Sequence, residues 1–281
     1  RMIVLEYMSN GSLENFLKTN DGMLTRLQLL GMARDVASGM NYFTEIKFVH
    51  RDLAARNVLV NDAMLCKISD FGLSREVETT ESQSLGEYAT TGGKIPIRWT
   101  APEAIKFRKF TTASDVWSFG ILLWEIMSFS QRPYWEWDNF KVMEEIENGF
   151  RLPAPQKCPF GVHSLMLQCW KADRGDRPSF AEIAVVIDRW IRSPETMDDE
   201  ANFFITIGDW LASIKMGNYK AMFIEAGYTK QSDIIDLTEH DLKNIGVTLI
   251  GHRNKIMKGI ETLRARKSRN PTPLLPRSTA F

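Results

Sequence analysis

The sequence predicts a mainly α-helical chain that folds as two domains, a larger one followed by a smaller one. Apolar residues recur at helical spacing through most of the chain. The pattern breaks at residues 193–202, where a proline and an acidic cluster intervene. With 281 residues, of which 44% are hydrophobic, the chain can fill one medium core and one small core.

Charge and cysteine content narrow the possible functions. Basic and acidic residues number 35 each, so no whole-chain field favours nucleic acid, and we expect no nucleic-acid partner. The three cysteines lack the spacing of zinc ligands or of a C-x-x-C motif, which is typical of reduced, buried thiols. The longest apolar stretch, residues 116–129, is interrupted by Glu125 and is too short for a membrane span.

The larger domain is predicted to begin with a strand at residues 2–8 and a short helix at 13–17. Residues 115–127 are apolar almost all round, which predicts a helix enclosed by its own domain. A further helix is expected at 24–43, with its apolar face formed by Leu27, Leu30, Ala33, Val36, Ala37 and Met40.

The smaller domain has two apolar stripes at helical spacing. Between them, Thr238 and Asp241 can cap a short helix. From residue 264 the chain is basic and contains prolines, which predicts disorder. The first stripe is Ile207, Trp210, Leu211 and Ile214, and the second is Leu249, Ile256, Ile260 and Leu263.

Three short motifs stand in a fixed order in the larger domain: HRDLAARN at residues 50–57, DFG at 70–72 and APE at 101–103. A lone tripeptide means little, but the ordered set is specific for the catalytic half of a protein kinase. The chain therefore resembles the protein kinase C-lobe. This resemblance implies a domain at residues 1–193 that holds only the hinge and the C-lobe, helical with short β-hairpins.

The resemblance implies a role for each polar residue of these motifs. Asp52 would accept the proton of the substrate hydroxyl, with Arg56 and Asn57 beside it in the catalytic loop. Asp70 and the amide oxygen of Asn57 would bind Mg²⁺ at the phosphates of ATP, because hard oxygen ligands suit that ion. ATP and Mg²⁺ are thus the expected cofactors.

The adenine of ATP is expected to meet the start of the chain. By resemblance, backbone groups near Glu6 and Met8 would contact adenine, and Leu59 would lie beneath it. No glycine loop and no V-A-I-K lysine are present in these residues, so half of the usual ATP clamp is absent. We therefore expect little or no kinase activity from this polypeptide alone. The alternative to a fragment of an active kinase is a non-catalytic scaffold, that is, a truncated receptor.

Tyrosine is the predicted acceptor. Serine/threonine kinases usually have a lysine two residues after the catalytic aspartate, where this chain has Ala54, and Arg56 stands four residues after it as in receptor tyrosine kinases. Pro96, in the segment KIPIRW, resembles the residue that offers an apolar face to the phenol ring. Protein tyrosine substrates are therefore the expected partners of the larger domain.

One tyrosine between the DFG and APE motifs is a candidate regulatory site. Tyr88 lies in a polar stretch where kinases carry a phosphosite that orders the segment. A phosphate there would be able to pair with Arg51. The alternative is an exposed loop tyrosine without a switch function.

Other motif residues are expected to be structural. Glu103 and Arg177 resemble the buried pair that ties the APE segment to a later helix. By resemblance, Asp115 braces the backbone of the catalytic loop, and His50 satisfies a buried hydrogen bond.

Residues 203–265 resemble a sterile alpha motif (SAM) domain of five helices, joined by a linker at 194–202. A kinase followed by a SAM domain, together with GGKIPIRWTAPEAI at 92–105, is similar to the C-terminal part of ephrin receptor tyrosine kinases. This implies the cytoplasmic portion of a single-pass plasma-membrane receptor that binds ephrin through an ectodomain not present here.

Protein contacts are expected from the second half of the chain. SAM domains commonly associate with each other or with other SAM domains, and complementary charges would support this here. Ordinary solvated charges are the alternative. In the expected disordered tail at 266–281, Thr279 and the terminal Phe281 suit the groove of a PDZ protein, although such endings also arise by chance. The charges are acidic at Asp233, Asp236, Glu239 and Asp241 and basic at His252, Arg253 and Lys255.

Overall fold

The computed structural model describes residues 6–70, 75–76, 88–89, 95–198, 207–229 and 231–269. The chain divides into two compact units, Arg1–Phe203 and Phe204–Phe281. Helices make up most of the regular structure in both units, and each unit buries its own apolar side chains.

The first unit contains seven α-helices among its described residues. Three of them begin with a capping box, in which the N-cap side chain and the third helical residue satisfy each other's backbone amides. These boxes pair Thr25 with Gln28, Thr111 with Ser114, and Ser179 with Glu182. The helices are α1 (Leu13–Thr19), α2 (Arg26–Glu45), α3 (Pro102–Phe107), α4 (Thr112–Met127), α5 (Asn139–Glu147), α6 (Phe160–Cys169) and α7 (Phe180–Arg192).

Helix α4 forms the centre of the first unit. Its residues from Ser114 to Met127 are all buried, which confirms the enclosed helix predicted at 115–127. Phe119 packs edge-on against Phe180 of α7, with 5.8 Å between ring centroids. Gly120 permits close approach of the segment after α6, because a Cβ atom there would lie 2.5 Å from Nε1 of Trp170. Within the described residues, no helix combines the length and hydropathy needed to cross a membrane.

The strands described in the first unit form three two-stranded antiparallel sheets. The hairpin of β2 and β3 links the HRD and DFG motifs, with Val58 opposite Ile68. The other sheets pair β1 with β4 and β5 with β6. The strands are β1 (Phe48–Val49), β2 (Val58–Val60), β3 (Cys66–Ile68), β4 (Arg75–Glu76), β5 (Tyr88–Ala89) and β6 (Lys109–Phe110).

Several features of the first unit differ from the expectation. Residues 6–8 form no strand, and the rest of the strand predicted at 2–8 lies outside the described residues. Leu27 is 42% exposed because the first turn of α2 lies at the surface, whereas the rest of its predicted face is buried. Pro194–Asp198, at the start of the expected linker, forms a 3-10 helix whose Met197 is buried.

The three cysteines, all in the described part of the chain, form no disulfide bonds, as their spacing suggested. Cys66 and Cys169 are buried, and Cys158 is half-buried. Burial raises the pKa of the Cys66 thiol to about 12, and the carboxylate of Asp35 adds to this effect. A thiol with so high a pKa stays protonated and unreactive at neutral pH.

The second unit is a small bundle in which thirteen of the described apolar residues form a buried core, among them Trp210, Leu211, Phe223 and Ile256. Its described residues contain helices α8 (Ile207–Ser213), α9 (Lys220–Glu225), α10 (Glu239–Ile245) and α11 (Ile250–Arg269). A 3-10 turn at Gly217–Tyr219 leads directly into α9, and another covers Gln231–Ile234. With the Gly217–Tyr219 turn and α9 counted as one segment, the described residues contain five helical segments, which agrees with the expected SAM fold.

Local signals in the second unit were partly right. The capping box of Thr238 and Asp241 at the start of α10 is confirmed, and Gly246 ends that helix at a φ of 106°. The prediction that Leu249 belongs to the apolar stripe of the last helix is wrong, because Leu249 precedes α11 and is 56% exposed. The disorder predicted from residue 264 is wrong as far as Arg269, because α11 continues to that residue.

Candidate active site

The catalytic loop is attached to the central helix by a buried carboxylate. Asp115 of α4 accepts hydrogen bonds from the backbone amides of His50 (2.7 Å) and Arg51 (3.0 Å). Burial raises the pKa of the Asp115 carboxyl, while the charge of His50 and the two amide bonds oppose that effect. Arg51 has a φ of 73°, a conformation that costs energy in a non-glycine residue, and these bonds hold it in place.

His50 connects the two ends of the β2–β3 hairpin region. Its Nδ1 accepts from the backbone amide of Asp52 at 3.3 Å, which leaves Nε2 to donate to the carbonyl of Ser69 at 3.1 Å. The ring is buried and lies tilted against that of Phe43, with 6.0 Å between the centroids. These contacts suit a structural histidine.

Asp52 lies in the catalytic loop, and both of its carboxylate oxygens contact polar side chains of the same loop. Asn57 donates from Nδ2 to Oδ2 of Asp52 at 2.8 Å and to its carbonyl oxygen at 2.7 Å. Arg56 pairs with the other carboxylate oxygen, Oδ1. The 3-10 turn at Ala55–Asn57 produces this arrangement, and 16% of the Asp52 side chain remains exposed. A carboxylate so oriented can accept a proton from a hydroxyl group in front of it.

The residues expected to hold Mg²⁺ occupy adjacent backbone segments. The carbonyl of Asn57 accepts from the backbone amide of Ser69 (2.8 Å) and from its hydroxyl (3.0 Å). Asp70 follows directly, is exposed, and has a φ of 59°. Because Nδ2 of Asn57 is used by Asp52, its amide oxygen is the atom left to face a cation. One amide oxygen and one carboxylate fit a magnesium ion that takes its other ligands from phosphate and water.

The expected adenine-contacting residues lie near one another in the fold. Met8 is buried, and the turn that follows it bonds to β2, with Asn10 donating to the carbonyl of Val60 at 3.0 Å. Leu59 of β2 is half-buried and forms a bridge with Ser12. The side chain of Glu6 is exposed and pairs with Lys67, so only its backbone would serve adenine.

A groove of about 520 Å³ opens beside the catalytic loop. Pro96 lines it together with Arg56 and Trp99, and Arg98 supports its wall. The buried guanidinium of Arg98 donates to the carbonyls of Pro133 at 2.9 Å and Tyr134 at 2.6 Å, and it also bonds to that of Trp137. Burial lowers the pKa of Arg98, and the charge of Arg132 adds to this. The structure thus brings Pro96 and the catalytic loop to one concave surface.

The pair of Glu103 and Arg177 lies away from the groove. The two side chains form a bidentate ion pair, with N–O distances of 2.6 and 2.9 Å. Arg177 also donates to the carbonyls of Ala113 (2.9 Å) and Lys171 (3.0 Å), and its side chain is fully buried. The pair therefore ties the start of α3 to the segment before α7.

Tyr88 is described only as part of strand β5. The register places it opposite Phe110 of β6. The guanidinium of Arg51 lies 4.6 Å from the centre of the Phe110 ring. The expected partner of a phosphate therefore lies beside the strand that pairs with Tyr88. Thr279 and Phe281, the expected PDZ ligand, lie outside the described residues.

Two residues that link these parts were not singled out from the sequence. Trp99 stacks under the guanidinium of Arg56 at 4.5 Å, and Glu125 accepts a hydrogen bond from its indole nitrogen at 2.9 Å. A signal was present for one of them, since Glu125 is the charged residue that interrupts the apolar stretch at residues 116–129. A buried glutamate in such a helix requires polar partners, which sequence alone does not identify.

Comparison with protein families identifies the first unit. The family model described as protein tyrosine and serine/threonine kinase matches residues 1–187, more than half of the chain. The chain belongs to this kinase family. A second family model, that of the SAM domain, matches residues 200–264, so both halves of the expected fold class are confirmed.

Ephrin receptors are among the relatives of this chain. Ephrin type-A receptor 7 of Gallus gallus is 49% identical in an alignment of 282 positions that covers 94% of this chain and 28% of that protein. Ephrin type-A receptor 6 of Homo sapiens is 51% identical over 279 residues, covering 94% and 27%. Ephrin type-A receptor 3 of Danio rerio is 50% identical over 276 residues, covering 94% and 28%. The resemblance to the C-terminal part of ephrin receptor kinases is confirmed, and the chain spans about 28% of the length of these relatives.

Proposed function

We propose that the kinase unit carries the catalytic loop and acceptor groove of a protein tyrosine kinase, which transfers the γ-phosphoryl group of ATP to tyrosine side chains of proteins. The orientation of the Asp52 carboxylate by Asn57 and Arg56 carries this proposal. Asp52 accepts the proton of the tyrosine hydroxyl as the new O–P bond forms and the bond to the leaving ADP oxygen breaks. A positioned base of this kind contributes about 10²- to 10⁴-fold in rate.

Mg²⁺ and ATP are the cofactors we propose, as for protein kinases in general. The ion neutralises charge on the phosphate oxygens, and the amide oxygen of Asn57 and the carboxylate of Asp70 would hold it. Backbone groups near Glu6 and Met8 would contact adenine, with Leu59 beneath it. The hydrogen bonds from Ser69 to Asn57 support this, because they keep the two metal-binding segments side by side.

Tyrosine is the acceptor that the groove supports. Pro96 and Trp99 supply apolar surface beside Arg56, which suits a phenol ring that reaches towards Asp52 from the groove. Ala54 is buried, and no lysine stands at this position to contact a phosphate, unlike in most serine/threonine kinases. Phosphorylation of Tyr88 would add negative charge beside β6, the strand that Arg51 contacts through Phe110. It would thereby order the segment between the DFG and APE motifs.

The test compares matched aspartate variants in a hybrid kinase, defined as this chain preceded by the glycine-loop lobe of an active tyrosine kinase. The hybrid kinase should phosphorylate tyrosine peptides, and Asp52→Asn should lower kcat about 10²- to 10⁴-fold with little change in ATP affinity. Asp62→Asn, which changes an exposed aspartate in the β2–β3 turn, should leave kcat unchanged. Equal turnover by the wild type and Asp52→Asn contradicts the proposal.

The 281-residue polypeptide without the added lobe provides a second comparison. It should transfer little or no phosphate, because no glycine loop or strand lysine is present in these residues to align the phosphates. The assay is phosphotyrosine formation on a tyrosine peptide at matched protein concentration. Transfer at the rate of the hybrid kinase would refute this expectation.

We also propose that the SAM unit mediates protein contacts, either with itself or with another SAM domain. The structure narrows the charges available for this. Arg253 is buried and pairs with Glu239 at 3.2 Å, while Asp241 is used by the α10 cap. Asp236 and Lys255 are exposed, and neither forms an ion pair among the described residues. Asp233 accepts a hydrogen bond from the backbone amide of Thr229, and His252 is hydrogen-bonded to Tyr219. A head-to-tail contact would therefore rely chiefly on Asp236 and Lys255.

Sedimentation of the chain at rising concentration tests the SAM proposal. Association that weakens in Lys255→Glu but not in Lys243→Glu would support a contact through Lys255, because Lys243 lies near Glu239 in its own domain (4.0 Å). A strict monomer that binds no SAM partner would end the proposal. Binding of a PDZ protein through Thr279 and Phe281 is proposed on sequence alone, and it should be lost when Phe281 is deleted.

The remaining proposals concern the whole protein. The relatives carry the name ephrin receptor. By analogy we propose that this chain is the cytoplasmic portion of a single-pass plasma-membrane receptor that binds ephrin through an extracellular part. Sequencing the transcript upstream of the codon for Arg1 tests this, since a membrane span and an ectodomain should be encoded there.

A further inference from the structure

Glu125 is a charged residue in the last turn of the largely apolar helix α4. It is 4% exposed, and its helix neighbours Trp124 and Ile126 are buried as well. A carboxylate at such a place is costly unless hydrogen bonds compensate for lost water. Its Oε2 atom accepts from the backbone amide of Ala55 at 3.0 Å and from Nε1 of Trp99 at 2.9 Å.

These two donors belong to different functional segments. Ala55 lies in the catalytic loop, three residues after Asp52. Trp99 lies three residues after Pro96 in the segment at residues 95–99, which we call the substrate loop. One carboxylate oxygen therefore joins the segment that accepts the proton to the segment that lines the groove. Ser118, also on α4, donates from Oγ to the carbonyl of Trp99 at 2.7 Å, so the backbone of Trp99 has a separate anchor. The bond to Glu125 is the one that orients the indole ring.

The orientation of this ring has a consequence for Asp52. The guanidinium of Arg56 lies 4.5 Å above the centre of the Trp99 ring and pairs with the Asp52 carboxylate. Arg56 also follows Ala55 directly, so Glu125 restrains it both through the backbone and through the ring. A continuous set of contacts thus runs from Glu125 through Trp99 and Arg56 to Asp52.

The charges around Glu125 are consistent with this arrangement. Burial raises the pKa of Glu125 to about 7, the hydrogen bonds from Trp99 and Ala55 and the charge of Arg56 oppose this, and the charge of Glu14 adds to it. Glu14 of α1 is itself paired with Lys18 at 2.5 Å. Glu125, Glu14, Lys18 and Arg56 all border the same groove.

We propose that Glu125 is a positioning residue for phosphoryl transfer: it clamps the catalytic loop to the substrate loop and, through Trp99 and Arg56, orients Asp52 towards the acceptor hydroxyl. The inference rests on the proposed kinase function. Glu125 makes no contact with the substrate in this proposal, and it acts through Trp99 and Arg56, which it positions. A carboxylate that served only the stability of α4 would not couple to Trp99 in the rate of transfer.

A double-mutant cycle in the hybrid kinase separates these cases. Glu125→Leu should lower kcat for a tyrosine peptide by roughly 10- to 100-fold, the scale expected for misplaced catalytic groups, while KM for ATP stays within about twofold. Glu125→Gln keeps an acceptor oxygen and should recover most of the rate. Trp99→Phe keeps a ring under Arg56 but loses the donor, so its loss should be smaller and should vanish in the Glu125→Leu background. Ile126→Val, next to Glu125 on α4, should leave kcat unchanged.

Additive losses in the cycle, or a KM for ATP that rises in step with the loss in kcat, would overturn the inference. A wild-type hybrid kinase that transfers no phosphate would contradict the proposed function instead. The two failures are therefore distinguishable.

A second measurement uses the 281-residue chain itself and does not depend on activity. The Trp99 indole proton, assigned by its disappearance in Trp99→Phe, should exchange slowly with solvent. In Glu125→Leu it should exchange faster, while the indole proton of Trp124, which donates to the carbonyl of Pro153 at 2.8 Å, keeps its rate. If Glu125→Leu does not fold, the same shift is expected in smaller measure in Glu125→Gln. Unchanged exchange of the Trp99 proton in a folded variant overturns the clamp.

Discussion

The kinase unit and the SAM unit are both mainly helical, but they treat buried charge differently. The kinase unit buries Asp115, Glu125, Arg98 and Arg177, each with hydrogen-bonded partners. The SAM unit has an apolar core, and Arg253 is the buried charged residue among its described positions. In the kinase unit the buried charges hold loop segments in a fixed arrangement, whereas the SAM unit is stabilised by an apolar core and a capped helix.

The kinase unit also holds more residues in left-handed backbone conformations. Arg51 and Asp70, both in the site, have φ values of 73° and 59°. In the SAM unit, Lys215 is the non-glycine residue with a positive φ among the described positions. Such conformations cost energy, and they persist where surrounding contacts determine them.

The largest expected effect is the loss of the buried pair of Arg177 and Glu103. Arg177→Ala leaves the Glu103 carboxylate without its partner and should lower the free energy of unfolding of the kinase unit by about 3 to 5 kcal/mol. The SAM transition should not move. Calorimetry of the whole chain would resolve the two.

Arg192→Ala is the control for this prediction. Arg192 pairs with Asp188 at the surface of α7, so its loss should cost about 0 to 1 kcal/mol. Equal destabilisation by the two variants would remove the distinction between buried and surface charge on which the comparison of the units depends.

The next effect concerns pH. The Glu125 carboxyl has a pKa of about 7 in the folded chain and an ordinary value of 4.5 when unfolded, so the folded state binds more protons between these values. The contribution of Glu125 to the free energy of unfolding is therefore most favourable below pH 4.5, and it falls as the pH rises towards 7. The change amounts to roughly 3 kcal/mol.

Urea unfolding from pH 5 to 8 would measure it. Glu125→Gln should remove this part of the pH dependence, whereas Glu147→Gln, at an exposed position, should not. Parallel stability curves for the wild type and Glu125→Gln would show that Glu125 ionises in the folded chain as it does in water.

The smallest effect is expected in the SAM unit. Thr238→Ala removes the cap of α10 and should destabilise that unit by about 1 kcal/mol, without changing the unfolding of the kinase unit. Thr262→Ala is a control, because its hydroxyl only donates to the carbonyl of Lys258 within α11. A larger loss in the control would mean that the cap contributes little.

Much of this molecule follows from local sequence. The enclosed helix around residues 115–127, the cap at Thr238 and the order of the HRD, DFG and APE motifs were all readable, because periodicity, capping and motif spacing depend on residues close together in the chain. The core assignments of Leu27 and Leu249 were wrong because helix periodicity does not reveal where a helix begins or which turn reaches the surface.

The amino-acid sequence by itself determined the kinase and SAM resemblance and the identity of the residues expected at the site. Only the tertiary structure decided that one oxygen of Glu125 accepts hydrogen bonds from Ala55 and Trp99. It also decided that Arg253 forms an ion pair with Glu239 inside the SAM unit. These contacts join residues 14 to 70 positions apart, and their geometry depends on how whole helices pack. The local sequence pattern carries no information about contacts between residues so far apart. A carboxylate in an apolar helix therefore predicts that hydrogen-bond partners exist, but it does not identify them.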